Sequence, residues 1–222
     1  MKSQLLLFSF LVFFIHASFA QSPPTLQWEK CFGGSGDDFT RSLELTDDGG
    51  FIFAAGAYSN DGDVIDNHGI ADVWVVKADA SGTIQWQHCY GGRGADLGWA
   101  IKQTADGGYF LANNSLSKNG DVSDNQGDHD FWEVKIDASG NIQWERSYGG
   151  TDYDAPYAAE QATDHGYVVV GSTISHDGYV TGAHGYRDGW VIKLDSSGNL
   201  QWSRALGGSQ GDDIFAVTES TD

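Results

Sequence analysis

The chain has 222 residues, with 31 Asp+Glu against 12 Lys+Arg and a formal charge of −19. The acid is lopsided, 25 Asp to 6 Glu, and the 30 Gly are roughly twice the usual ~7%. Asp and Gly favour turns over helices, so composition points to an all-β, turn-rich protein. The acidity excludes a nucleic-acid binder, which needs a basic footprint, and 13% aromatic residues exclude a disordered chain.

Residues 1–20 have the pattern of a secretory signal peptide: Lys2, an apolar run from Leu5 to Ile15, then Ser18-Phe19-Ala20 with small residues at the −3 and −1 positions. The run is shorter than the ~20 residues that span a bilayer, and no Cys follows the cleavage site to carry a lipid anchor. The expected product starts at Gln21 and is secreted or held at the cell surface.

From Leu26 onward the sequence repeats. Trp28, Trp86, Trp144 and Trp202 are spaced by 58 residues, and the match runs through the interval without a gap. The units are about 26–83, 84–141 and 142–199, with a partial unit at 200–222. A fixed period of this length signals a solenoid, propeller or array. Within one unit, alternation and turn residues predict strand A near Ser42–Thr46 and strand B at Phe51–Tyr58, joined by Asp48-Gly49-Gly50. A long loop leads to strand C, Val73–Asp79. One of its faces carries Trp74, copied as Trp132 and Trp190; its other face carries Lys77, Lys135 and Lys193. Ala80-Ser81-Gly82 then turns into strand D, with Ile84 and Trp86. Four antiparallel strands per unit make one propeller blade, so the expected fold is an all-β propeller of three complete blades and part of a fourth. Closed propellers have 4–8 blades. Asp222 aligns with the tip of the A–B hairpin, so the chain is expected to be a piece of a longer protein, the alternative being several chains that complete one ring.

The units resemble those of secreted bacterial β-propeller repeat proteins, through their GG-x-x-x-D segment, the DGG-[YF] hairpin and a G-x-T-x-S strand end, here Gly171-Ser172-Thr173-Ile174-Ser175. The D-A-S-G-x-I-x-W element is similar to the strand C–D corner of quinoprotein-type propellers. That resemblance implies that Trp28, Trp86, Trp144 and Trp202 dock between blades, and it implies no single activity.

Strand alternation places the D–A and B–C loops on one face, together with 17 of the 25 Asp. The spacing of Asp61, Asp63 and Asp66, of Asn119, Asp121 and Asp124, and of Asp177 resembles the start of a calcium loop. The acidic residue that would close such a loop is missing, and turn capping is the competing reading. Asp38, Asp96, Asp154 and Asp212 share one repeat position, and Asp72, Asp130 and Asp188 another; a residue present in every blade points to architecture. One strand A position varies: Arg41, Trp99, Tyr157 and Phe215. Packing between blades is the first reading of that position, with Trp99 and Tyr157 as candidates to stack on a ligand as the alternative. Cys31 and Cys89 occupy equivalent positions and are expected to be free, buried thiols. His129 is expected to be a solvated loop residue. No catalytic motif occurs.

The expected function is a non-catalytic, secreted or surface scaffold that binds a glycan, a protein or a surface, with Ca²⁺ as its one candidate cofactor. The alternatives are a fragment of a carbohydrate-active hydrolase, with the non-repeated Asp128 and Asp152 as its acids, or a spacer in a larger surface protein.

Overall fold

A computed structural model describes residues 25–220; the expected signal peptide at 1–20 lies outside the described residues. Among the described residues, twelve strands form three four-stranded sheets. The first holds β1 (Asp38–Leu45), β2 (Phe51–Ala57), β3 (Asp72–Ala78) and β4 (Ile84–Tyr90). The second holds β5 (Asp96–Gln103), β6 (Tyr109–Ser115), β7 (Asp130–Ile136) and β8 (Ile142–Tyr148). The third holds β9 (Asp154–Gln161), β10 (Tyr167–Thr173), β11 (Asp188–Leu194) and β12 (Leu200–Leu206). Each is an antiparallel meander in sequence order. These are propeller-like blades, and the set is not closed into a ring.

The sheets are out of phase with the sequence units, because each unit opens on the last strand of one sheet and continues into the next. Strand A also begins at Asp38 rather than at the expected Ser42: Asp38 pairs with Ala57, and a bulge between Thr40 and Ser42 hides the alternation. Residues 212–220 lie along the third sheet without forming a strand, with Ile214 N–H bonded to Gly171 O at 3.3 Å.

The A–B turns are tied to strand C by lysines on its second face. Lys77, Lys135 and Lys193 reach Asp48, Asp106 and Asp164 at 2.8, 3.0 and 2.8 Å. Lys77 and Lys135 are 3% exposed, and both ammonium groups also donate to a neighbouring carbonyl and a Gln side chain. Lys77, followed by the Thr46 hydroxyl, holds the Asp48 carboxyl well below the usual range. Burial pulls Asp106 upward, but Thr104, Lys135 and the Gly108 N–H outweigh it and leave it at about 2.

The core lies between sheets. Ile52, Val73 and Val75 of the first sheet meet Leu111, Trp132 and Val134 of the second. Phe110, Phe131 and Tyr148 of the second meet Val169, Trp190 and Ile192 of the third. Trp74, Trp132 and Trp190 are each at most 1% exposed. The strand D tryptophans dock on the next sheet: Trp28 on Phe51, Trp86 on Tyr109 and Trp144 on Tyr167, with ring centroids 6.0, 6.1 and 5.9 Å apart. Tyr90 Oη donates to Gly140 O at 2.5 Å across the first joint, and Tyr148 Oη to Gly198 O across the second. Among the described residues no sheet follows Trp202, which is 50% exposed.

Both cysteines are free, but only Cys89 is buried. Burial first, then the carboxylates of Asp72, Asp66 and Asp38, push its thiol up to about 12. Cys31 is exposed, contrary to expectation, because the segment at 25–34 has no sheet of its own around it.

Candidate functional site

The D–A and B–C loops meet on one face, as the alternation requires, and the side chains of Asp61, Asp63, Asn119, Asp121 and Asp177 accept from loop N–H groups. Asp61 accepts from Ser35 N at 2.7 Å and Asp63 from Gly33 N at 3.3 Å. Asn119 accepts from Arg93 N at 2.9 Å and Asp121 from Gly91 N at 3.1 Å. Asp177 accepts from the N–H and the hydroxyl of Thr151 at 2.8 and 3.0 Å. Asp66 holds a corner of its loop at φ 65°, and Asp124 offers its carbonyl to Gln126 Nε2 at 2.8 Å. Among the described residues, no three or more His, Cys, Asp and Glu side chains are grouped to hold a metal ion.

The Asp at the head of strand A is a latch. Asp38 accepts from Gly34 N at 2.8 Å and from the Ser59 hydroxyl at 2.6 Å. Asp96 takes Gly92 N and the hydroxyls of Ser115 and Ser117. Asp154 takes Gly150 N at 2.9 Å and the Ser175 hydroxyl at 3.0 Å, and Asp212 takes Gly208 N at 2.8 Å.

The joints add an arrangement that spacing alone did not reveal. The Asp at the head of strand C reaches the same glycine as the latch Asp of the next sheet. A Cβ added at Gly91 would overlap Asp72 Oδ1 and Asp96 Oδ2; one at Gly149 would overlap Asp130 Oδ1 and Asp154 Oδ2; one at Gly207 would overlap Asp188 Oδ1 and Asp212 Oδ2. Asp72, Asp96, Asp130, Asp154 and Asp188 are all at most 1% exposed. The Oδ1 atoms of Asp72, Asp130, Asp154 and Asp188 have no hydrogen-bond partner. Burial, together with the Asp154 charge and against the Gln126 N–H, raises Asp130 to about 7. Burial raises Asp154 to about 6 despite the bonds from Gly150 and Ser175. Burial also raises Asp72, against its bonds to His68. Asp38 has the same latch role at the open end, where its donors outweigh a slight burial and its carboxyl sits below the usual range. The Asp72–Asp96 and Asp130–Asp154 pairs are closed off from solvent, whereas Asp212 beside Asp188 is partly exposed.

Glu133 is a second such group. It is fully buried, neither carboxyl oxygen has a partner, and burial holds it well above the usual range. Val75 and Val191 fill its position in the other sheets, a difference visible when the repeats are aligned.

The varied strand A position forms a continuous row. The Arg41 guanidinium sits 3.5 Å from the Trp99 ring centre. Trp99 lies 5.0 Å from Tyr157, and Tyr157 stacks on Phe215 at 4.9 Å with a 15° interplanar angle. Asn114 links the row to its surroundings, accepting from Trp99 Nε1 at 3.0 Å and donating to Tyr153 Oη at 3.1 Å. Tyr58 and Tyr153 border the row and are 43% and 37% exposed; Phe215 at its end is 69% exposed. His129 joins this patch rather than standing in solvent. Its side chain is 19% exposed, 5.0 Å from the Tyr153 ring, and its Nδ1 lies 2.8 Å from Asp128 Oδ1. Asp152 N–H donates to the Ser175 hydroxyl at 3.1 Å.

No protein-family model matches the chain, and no curated protein does. Among solved structures, a protein of unknown function from Bacteroides caccae is similar over 79% of this chain and 70% of its own, at 9% identity and a TM-score of 0.39.

Proposed function

We propose that the chain is a run of β-propeller blades, secreted or displayed at the cell surface, and works as a non-catalytic binding scaffold. Its ligand contact is the aromatic row at the mouth of the innermost strands. One observation carries this reading: at a strand A position where a repeat would copy one residue, the chain instead sets Arg41, Trp99, Tyr157 and Phe215 in mutual contact, bordered by exposed Tyr58 and Tyr153. Aromatic faces with polar edges suit the apolar face of a sugar ring, and a charge of −19 disfavours anionic partners. A neutral oligosaccharide is therefore the ligand class of choice. The check is titration of tryptophan fluorescence with neutral oligosaccharides, for the native chain and for Trp99→Ala and Tyr157→Ala. The expected result is at least a tenfold weakening in each variant with its fold intact; equal affinity in all three would remove the row from the reading.

A further inference from the structure

The loops of the first joint bring together a combination of residues that the second joint does not copy. His68, Arg93 and Asn119, with Gly92 and Gly120, line one open cleft of about 390 Å³. The corresponding residues of the second joint are Gln126, Thr151 and Asp177. Asn119-Gly120 is also the one Asn-Gly step in the sequence.

An Asn followed by Gly is open to attack by its own main chain, because a glycine N–H is the least hindered backbone nucleophile. Gly120 N–H donates to no acceptor among the described residues, and both residues are exposed. Arg93 N–H donates to Asn119 Oδ1 at 2.9 Å, so it polarises the amide carbonyl and is placed to hold the oxyanion that attack creates. His68 supplies a base. Its Nδ1 lies 2.6 Å from Oδ2 of the buried Asp72, which fixes the ring and leaves Nε2 without a partner among the described residues.

We propose that this cleft is a self-modification site, in which Asn119 loses its side-chain amide as ammonia with His68 as the base. Gly120 N attacks Asn119 Cγ, and its proton passes to His68. The bond from Cγ to the amide nitrogen breaks, and that nitrogen leaves as ammonia with the proton from His68. Water then adds to the five-membered imide and opens it. Opening at the former side-chain carbon leaves a carboxylate there and restores the main chain. The fold already accepts this product at the equivalent places: Asp61 and Asp177 accept from Ser35 N and Thr151 N at 2.7 and 2.8 Å, as Asn119 does from Arg93 N.

The test is peptide mass spectrometry of the native chain and of His68→Gln, which installs the residue of the second sheet. Each is incubated at neutral pH, folded and in denaturant. The expected result is loss of ammonia at Asn119 that is faster by about tenfold or more in the folded native chain than in the same chain unfolded. Folded His68→Gln should lose that advantage, and the two chains should convert alike in denaturant. A native chain that converts no faster folded than unfolded overturns the proposal, and so does folded His68→Gln converting at the native rate. The native comparison needs no variant, so it decides even where His68→Gln does not fold.

Discussion

At the scale of single residues, the molecule holds several carboxyl groups where water would not leave them. Asp130 and Asp154 face each other across Gly149, with Gln126, Thr173, Ser175, Lys118 and Asp128 as their surroundings. Their folded values of about 7 and 6 lie above the ~3.9 of an unfolded Asp. The folded state therefore binds more protons between these limits. The stability this contributes is fully present below pH ~4 and is lost as pH rises through 6 to 7. Thermal unfolding between pH 5 and 8 should show a melting temperature that falls as pH rises. Asp130→Asn should flatten that slope and add about 1–2 kcal/mol at pH 8, because an amide stays neutral in the buried site at every pH. A slope unchanged by the substitution would refute burial of the Asp130 carboxyl as its cause. Glu133→Val, which installs the residue of the other two sheets, should stabilise by about 1–3 kcal/mol for the same desolvation reason.

At the scale of elements, much was legible in advance. Alternation and turn residues located the four strands of each unit, and the copied tryptophans located the joints. Strand A was read short because Asp38 to Thr40 has loop composition and the bulge breaks the period. The acid pairs were not legible: Asp72 and Asp96 belong to different sheets, and only three dimensions bring them to one glycine. The aromatic row was legible as a varied position with packing between blades among its readings; the order of contacts, Arg41 on Trp99, Trp99 by Tyr157 and Tyr157 on Phe215, was not. The glycines at these places differ in what they do, which gives a paired expectation. Gly107 has φ +82° and nothing within 4 Å of an added Cβ, so Gly107→Ala should cost about 1 kcal/mol through backbone strain alone. Gly149→Ala would drive a methyl group into both Asp130 and Asp154 and should cost about 3 kcal/mol or more. Denaturant unfolding of the two variants measures the difference, and equal costs would contradict the close approach at Gly149.

At the scale of the whole molecule, the three sheets have the same topology but unequal cover. The second has a sheet on both faces; the first and third each have one face covered only by a single segment. Native-state hydrogen exchange should therefore show the slowest amides in β6 and β7, and earlier opening of β1 and β12. Uniform protection across all three sheets would mean that the outer faces are covered in solution. Among the described residues no helix is long and apolar enough to cross a membrane.

The offset between the 58-residue unit and the sheet has a genetic consequence. A tandem duplication on the sequence period copies the last strand of one sheet together with the first three of the next. The inserted stretch carries both the docking tryptophan and the surface that receives it. A gene built this way can lengthen or shorten by whole units without inventing a contact, whereas an indel of any other length breaks the register of every joint it touches.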